Sequence, residues 1–194
     1  MTEKAVTGII LAGGKSSRMG FDKGMAELNG KKMAEWVVAA LQSVCSHILI
    51  VSNTDNYNKL DYPVYEDIYK NTGPLGGIYT GLTYSATEYN LVVACDMPFI
   101  TPNIFNLLLS FADTYSIVVP SVNGRFEPLC AFYHKQTCHK MNNLLLQKTW
   151  KMQQVIRQFD YKEIKLENTQ TELSVFANIN TPEELKEIQI KPSR

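Results

Sequence analysis

The sequence lacks several features that would each point to a particular class of protein. It has no run of about 18 apolar residues, so no membrane-spanning helix is expected, and the short apolar run 8–12 belongs to a strand rather than to a signal peptide. Its 19 basic and 19 acidic residues give a net charge of zero, which favours neither nucleic acid nor a membrane surface as a partner. No repeats, low-complexity tracts or linkers divide the 194 residues, so we expect a single domain spanning 1–194.

Cysteine is also scarce. The four cysteines are Cys45, Cys95, Cys130 and Cys138. None is paired in a C-x-x-C spacing and three lie in or beside apolar runs, so we expect no disulfide framework, no zinc site and a reducing cytoplasm. His134 and His139 lie close to Cys138, but no fourth ligand is near them, and a structural role is the better interpretation.

What the sequence does have is a glycine-rich loop directly after an apolar strand, predicted over Val6–Ala12. Gly13 and Gly14 permit a tight turn in which successive amide N–H groups face one anion. The loop also carries three cations, Lys15, Arg18 and Lys23. Their charge, and the planar fork of the arginine, suit phosphate oxygens, so the segment predicts a nucleotide site.

This loop fits neither of two well-known phosphate motifs. Gly14-Lys15-Ser16 mimics the end of a P-loop, but the earlier glycine that the motif requires would fall at Ile9. The Gly13-Gly14 pair also lacks the further spaced glycines of the dinucleotide-binding fingerprint. A P-loop ATPase and an NAD-binding protein are therefore not predicted.

Apolar runs alternate with segments of helical periodicity. Strands are predicted over Val6–Ala12, His47–Val51, Val64–Tyr65, Leu91–Cys95 and Ile117–Pro120. Helices are predicted over Met33–Cys45, Ile78–Ala86 (after a glycine-rich turn 73–77) and Pro102–Phe111. Such an alternation favours a mostly parallel sheet with helices on both faces.

The second half is less regular. An Asn-Gly pair at 123–124 predicts a hairpin turn, and Leu129–Tyr133 is expected to be an antiparallel strand. Further elements are predicted over Gln136–Gln147, Gln153–Phe159, Tyr161–Leu166 and Val175–Ala177, with a last helix starting at Thr181. The fold class is therefore α/β, a Rossmann-like three-layer sandwich whose mostly parallel sheet includes an antiparallel strand in its second half.

Polar residues follow several of the predicted parallel strands. Asn53, Asp67 and Asp96 each come after a strand, as does the loop 13–23, so they are expected to meet at one edge of the sheet. Asp96 ends an apolar strand that Pro98 prevents from continuing. A carboxylate there suits Mg²⁺, which takes one or two carboxylates together with phosphate oxygens and water.

Four blocks, in order along the chain, resemble one family. They are Leu11-Ala12-Gly13-Gly14 with Arg18-Met19-Gly20 and Lys23, then Gly73–Ile78, Cys95–Phe99 and Asn178–Leu185. Together they resemble the nucleotidyltransferases that activate sugars, alditols and cofactors, and among these the molybdenum cofactor guanylyltransferases, which attach GMP to molybdopterin. The resemblance implies GTP and molybdopterin as substrates and Mg²⁺ as cofactor. It also implies transient contact with cofactor-delivering proteins and apo-molybdoenzymes.

The resemblance also assigns roles to individual residues. Those implied in catalysis are Arg18, Lys23 and Asp96, the last as the metal ligand. Those implied in GTP binding are Leu11, Ala12, Gly13, Gly14, Lys15, Lys23, Asn53, Asp67 and Asp96. Those implied in molybdopterin binding are Gly76, Gly77, Arg125, Asn178 and Asn180. For Asn178 and Asn180 the resemblance leaves a second role open, which is to help hold the metal. Residues 1–100 would thus mainly bind GTP and residues 101–190 mainly molybdopterin.

Three alternatives stay open. A cytidylyl-transferring relative could act on the same cofactor, although Leu-Ala-Gly-Gly resembles the GTP users, whereas the CTP users resemble Leu-Ala-Ala-Gly. A sugar- or alditol-phosphate nucleotidyltransferase is a second alternative, usually found as a longer chain. A catalytically silent nucleotide-binding module is the third, and the presence of Arg18, Lys23 and Asp96 argues against it.

Overall fold

A mixed β-sheet forms the middle layer of the molecule, and the computed structural model describes residues 4–13, 22–166 and Phe176. The strands in chain order are β1 (Val6–Leu11), β2 (Glu27–Leu28), β3 (Lys31–Lys32), β4 (His47–Val51), β5 (Val64–Tyr65), β6 (Tyr89–Ala94), β7 (Ile117–Val122), β8 (Arg125–Phe126), β9 (Cys130–His134) and β10 (Tyr161–Lys165). The α-helices are α1 (Met33–Gln42), α2 (Pro74–Tyr84), α3 (Pro102–Leu109), α4 (Thr137–Leu146) and α5 (Met152–Ile156), and short 3₁₀ turns cover Lys23–Met25 and Asp55–Leu60.

The sheet is mostly parallel and has β1 near its centre. Its strand order is β10-β7-β9-β6-β1-β4-β5, with β8 added to β7, while β2 and β3 form a separate small ribbon. Strand β1 pairs in parallel with β4 on one side and with β6 on the other, whereas β9 runs antiparallel to both β6 and β7. The predicted α/β class and the antiparallel strand of the second half are confirmed.

Helices cover both faces of the sheet, because nearly every position of the central strands β1, β4 and β6 is buried. Ile9 and Ile10 are both fully buried but belong to different clusters. Ile10 packs on the face that α1 and α3 cover, and Ile9 packs on the face that α2, α4 and α5 cover. Phe176 is buried in the first of these clusters. This is the three-layer sandwich expected from unbroken apolar strands.

One predicted boundary was wrong in a way that affects the site. Helix α2 begins at Pro74 rather than Ile78, so Gly76 and Gly77 lie in its first turn and not in a glycine-rich turn before it. Proline suits the first helical position because a backbone N–H at that position has no partner within the helix, so the lack of one costs nothing. Gly76 is needed for close packing, since a Cβ there would lie 2.8 Å from the backbone oxygen of Tyr69.

Other boundaries differ by a few residues, as helix and strand ends commonly do. Helices α1 and α3 stop at Gln42 and Leu109, earlier than predicted, and β6 starts earlier, at Tyr89. The predicted hairpin at 123–124 is confirmed: Asn123 (φ 52°) and Gly124 (φ 73°) adopt the left-handed backbone of a tight β-turn between β7 and β8. Apart from Phe176, the predicted strand Val175–Ala177 and the helix starting at Thr181 lie outside the described residues. None of the described helices is long and apolar enough to cross a membrane.

Candidate active site

The carboxyl ends of four parallel strands meet at one edge of the sheet. Beyond β1, the N–H of Ala12 donates to the carbonyl of Val51 at 2.8 Å, and the N–H of Cys95 donates to the carbonyl of Leu11 at 3.1 Å. The N–H of Ser52 likewise donates to the carbonyl of Tyr65 at 2.9 Å. The strand ends are therefore held side by side, and the polar residues after them project from a common edge. The chain runs from β1 to β4 on one side and later returns to β6 on the other, so this edge is also a switch point, where ligands bind in open α/β sheets.

Lys23 and Asp96 face each other at this switch point. The Lys23 Nζ lies 3.6 Å from Asp96 Oδ2, and the two side chains are only 21% and 18% exposed. Burial raises the pKa of the Asp96 carboxyl, and the nearby Lys23 ammonium offsets this only in part. The negative charge of the Asp96 carboxylate is therefore only partly compensated by Lys23.

That environment fits a divalent cation. A partly buried carboxylate whose pKa is raised gains from additional positive charge. No three His, Cys, Asp or Glu side chains within the described ranges are grouped to hold a metal. Mg²⁺ needs no such cage, because phosphate oxygens and water complete its octahedron around one or two carboxylates.

Asn53 and Asp67 form a second pair, on the β4–β5 side of the edge. The Asn53 side-chain amide donates to Asp67 Oδ2 at 2.8 Å, and its oxygen accepts from the Asp67 backbone N–H at 3.2 Å. The other carboxylate oxygen, Oδ1, is buried and has no hydrogen-bond partner among the described residues. It faces the first turn of α2, where a Cβ on Gly77 would lie 3.6 Å from it. A buried acceptor without a hydrogen-bond partner destabilises the fold unless a ligand donates a hydrogen bond to it. Ribose hydroxyls and base N–H groups are suitable donors.

Gly13 lies at the end of β1 in open surroundings. A Cβ at this position would meet no described atom within 4 Å, and its backbone is outside the left-handed region. Neither close packing nor backbone strain in the described part of the chain therefore requires glycine here. Leu11 and Ala12, by contrast, are buried and continue the core to the edge of the sheet.

The candidate residues of the second half lie on the other side of Asp96. Because β9 is antiparallel, the residues before it come to the same edge, and the Ala94 N–H donates to the Leu129 carbonyl at 2.9 Å. Glu127 is half-buried there, and burial raises its carboxyl pKa despite the opposing effect of Arg125. Arg125 itself is exposed on β8, farther along the edge. Following the strand order, the edge presents Asp67, Asn53, Asp96, Glu127 and Arg125.

Two residues near Lys23 were missed by the sequence analysis. Asp22 caps the turn Lys23–Met25 by accepting from the Gly24 N–H at 3.2 Å, and the buried Tyr57 hydroxyl donates to the same carboxylate. An aspartate two residues before a glycine is a typical turn signal that could have identified Asp22. No comparable signal marks Tyr57, which reads as an ordinary core aromatic.

Several sequence-predicted positions lie outside the described residues: Gly14, Lys15, Arg18, Asn178 and Asn180. Of the His/Cys group, His134 faces Glu88, with 3.7 Å between its Nδ1 and the carboxylate oxygen. Cys138 lies 3.5 Å from the hydroxyl of Thr83. These contacts are consistent with a structural role for that group.

Comparison with known proteins shows which family and which solved structures the chain resembles. Residues 8–164 match the family described as the MobA-like NTP transferase domain. The chain is 38% identical, over 94% of each chain, to a protein of Natranaerobius thermophilus described as a probable molybdenum cofactor guanylyltransferase. A protein of Bacillus cereus with the same description is 35% identical, again over 94% of each chain. Among solved structures, molybdopterin-guanine dinucleotide biosynthesis protein A of Archaeoglobus fulgidus superposes with a TM-score of 0.79 at 25% identity, covering 94% of this chain and 96% of that one.

Proposed function

The chain belongs to the family of MobA-like NTP transferases, and from this we propose that it transfers GMP from GTP to the terminal phosphate of molybdopterin, forming molybdopterin guanine dinucleotide and pyrophosphate. The two relatives named above are both described as probable molybdenum cofactor guanylyltransferases. The observation that supports the proposal most directly is the opposition of Lys23 and Asp96 at the switch point of the sheet.

The chemistry asks for charge and position rather than for a nucleophilic side chain. An oxygen of the molybdopterin phosphate attacks the α-phosphorus of GTP, the new P–O bond forms, and the bond to the β-phosphate oxygen breaks. The electron pair of that bond leaves with pyrophosphate. The attacking phosphate is already ionised, so no general base is required, and catalysis depends on holding and neutralising the reacting groups.

Within this reaction, the residues of the edge take separate roles. Lys23, with Lys15 and Arg18, neutralises the triphosphate and the departing pyrophosphate, and Gly13 and Gly14 are assigned to phosphate binding. Asp96 would hold the metal, and Mg²⁺ bound there would supply positive charge to neutralise the phosphate oxygens.

The remaining candidates divide between the two substrates. The free oxygen of Asp67, oriented by Asn53, accepts hydrogen bonds from the nucleoside. Gly76, Gly77 and Arg125, together with Asn178 and Asn180, are assigned to molybdopterin. Residues 1–100 then mainly serve GTP and residues 101–190 mainly the second substrate.

The cellular setting follows from the same proposal. The product is a cofactor that other proteins must receive, so we include transient contact with cofactor-delivering proteins and apo-molybdoenzymes. The four cysteines are all free, which agrees with a reaction in the reducing cytoplasm.

The decisive experiment measures pyrophosphate release with GTP, CTP, ATP and UTP, each with and without molybdopterin, and identifies the product by mass spectrometry. We expect release only with GTP, molybdopterin and Mg²⁺ together. Preference for CTP would instead identify a cytidylyltransferase. Release with sugar or alditol phosphates but not with molybdopterin would identify the second alternative, and nucleotide binding without any release would identify a silent binding module.

A further inference from the structure

The turn that carries Lys23 is fastened to the protein through a buried phenol. Tyr57 is fully buried, and its hydroxyl donates to Asp22 Oδ1. The same carboxylate accepts from the backbone N–H of Gly24 at 3.2 Å and from the Asn56 side-chain amide at 3.2 Å. The turn Lys23–Met25 is thereby joined to the segment Asp55–Leu60, more than thirty residues away in sequence.

This same point also touches the strand that ends in Asp96. The Tyr57 hydroxyl lies 3.6 Å from Cys95 Sγ, and Cys95 directly precedes Asp96. Gly24 is packed so closely that a Cβ there would lie 2.8 Å from Cys95 Sγ and 2.9 Å from Cys95 Cβ. Lys23 is thus adjacent in sequence to Asp22, and Asp96 is adjacent to Cys95. Asp22 and Cys95 both contact the Tyr57 hydroxyl.

We propose that Tyr57 and Asp22 are positioning residues that fix the Lys23 ammonium opposite Asp96, so that the cation and the acid meet the phosphates in one geometry. The proposal rests on the proposed function in one respect, since it assigns Lys23 its task in nucleotidyl transfer. A lysine has a long flexible stem, and a short 3₁₀ turn by itself gives it little restraint. The carboxylate of Asp22 supplies the restraint because it binds the turn and the buried phenol at once. Burial also raises the pKa of the Tyr57 hydroxyl, so it remains a donor at every physiological pH.

The first test removes only the hydroxyl, with Tyr57→Phe, and compares it with Tyr89→Phe. The Tyr89 hydroxyl also donates to an aspartate, Asp113 Oδ1 at 2.8 Å, but Tyr89 begins β6 at the opposite edge of the sheet. We expect Tyr57→Phe to lower kcat by roughly tenfold to hundredfold, the scale of a misplacement of about 1 Å, while the KM for GTP changes by less than about threefold. Tyr89→Phe should leave kcat within about twofold of wild type.

A double-mutant cycle separates positioning from general damage to the fold. If Tyr57 acts through Lys23, then adding Tyr57→Phe to Lys23→Ala should lower kcat by less than about twofold, because the group being positioned is already gone. An undiminished loss in the Lys23→Ala background would overturn the proposal. Thermal denaturation verifies that each variant is folded at the assay temperature.

Asp22 provides an independent test that does not depend on how Tyr57→Phe folds. Asp22→Asn keeps an oxygen that can accept from Gly24 and from Tyr57, whereas Asp22→Ala removes the acceptor. We expect Asp22→Asn to retain most of the kcat that Asp22→Ala loses. Equal losses in the two variants would contradict a positioning role.

A measurement without turnover distinguishes failure of this proposal from failure of the proposed function. The rate at which an N-hydroxysuccinimide ester acylates Lys23 can be followed by mass spectrometry, with the exposed Lys148 as internal reference. We expect the ratio of the two rates to rise at least about threefold in Tyr57→Phe and to stay unchanged in Tyr89→Phe. If wild type transfers no GMP, the proposed function fails while this ratio still tests the positioning, and an unchanged ratio in Tyr57→Phe would overturn it.

Discussion

Replacing Asp96 with asparagine should slow catalysis and at the same time raise the stability of the fold. Asparagine has nearly the same shape, keeps one acceptor oxygen and removes the negative charge. In the wild type that charge lies 3.6 Å from Lys23 Nζ in a side chain that is 18% exposed. Burial nevertheless raises the Asp96 pKa, so the ionised form is less favourable in the folded chain than in the unfolded one.

The sign of the stability effect follows from that direction. A carboxyl group whose folded pKa is raised destabilises the fold at pH values above the raised pKa, where it is ionised in both states. Below the unfolded pKa, about 3.9, it is protonated in both states and the effect disappears. The Asp96→Asn variant should therefore melt at a higher temperature than wild type at pH 7, and the difference should shrink as the pH falls toward about 4.

The effect on catalysis has the opposite sign. Removing one preorganised electrostatic group typically slows turnover by roughly 100- to 1000-fold, which corresponds to about 2.7–4 kcal/mol of lost transition-state stabilisation. We expect a loss of this size for Asp96→Asn, with GTP affinity reduced by less than about tenfold because Lys23 and the glycine-rich loop remain. The variant should also require more Mg²⁺ for its residual activity.

Turnover and melting temperature measured on the same preparations, from pH 4 to pH 8, test both halves of this prediction. Asp113→Asn is the matched control, because the Asp113 pKa is lowered by its hydrogen bonds with Lys4 and Tyr89 at the exposed opposite edge. A carboxyl group whose folded pKa is lowered contributes stability at pH values above its unfolded pKa. Because this ion pair is exposed and screened by solvent, Asp113→Asn should lower the melting temperature only slightly at pH 7 and leave turnover unchanged. If the turnover of Asp96→Asn is within a factor of a few of wild type, the Asp96 charge has no catalytic role. If the variant melts at a lower temperature than wild type at pH 7, the buried Asp96 charge does not destabilise the fold.

Three further substitutions test other parts of the site. Gly24→Ala places a Cβ 2.8 Å from Cys95 Sγ, so the substitution should lower the free energy of unfolding by about 1–3 kcal/mol and the melting temperature by roughly 2–12 °C. It should also reduce turnover by displacing Lys23. A variant as stable and active as wild type would contradict the close packing. Gly13→Ala meets no described atom within 4 Å, so it should leave the melting temperature unchanged while lowering the ratio of kcat/KM for GTP over CTP; an unaltered ratio would exclude a role in base selection. Asn180→Ala should raise the KM for molybdopterin or lower kcat with little change in GTP affinity, whereas a change in melting temperature alone would indicate a structural role.

The sequence predicted best what local pattern determines. Strand ends are marked where an apolar run meets Asn53, Asp67 or Asp96, and parallel pairing then brings such ends to one edge, so the gathering of these residues could be anticipated. The start of α2 could not be anticipated, because Gly76 and Gly77 have poor helix propensity. The tight fit of Gly76 against the segment before the helix, which makes glycine suitable there, is visible only in the structure.

Tyr57 shows a second limit of sequence-based prediction. The role proposed for Tyr57 depends on a contact with Asp22, which lies on a different segment, and no periodicity or motif connects the two residues. The pairing exists only because the turn after β1 and the turn after β4 are brought together by neighbouring strands. Long-range contacts between irregular segments are therefore where the sequence alone gives least guidance.

The reversal of β9 has a consequence for how the protein can change in evolution. Because β9 runs antiparallel to β6 and β7, it begins at the edge of the sheet that carries Asp96. The chain therefore enters β9 through the short connection from the β7–β8 hairpin rather than through a crossover helix. The tip of that hairpin, Asn123 and Gly124, is exposed, so residues can be inserted there without disturbing the strands that carry Asp67 and Asp96. Under the proposed assignment of this half to the acceptor, we expect insertions at this one surface loop to alter acceptor preference while the strands that carry Asp67 and Asp96 stay unchanged.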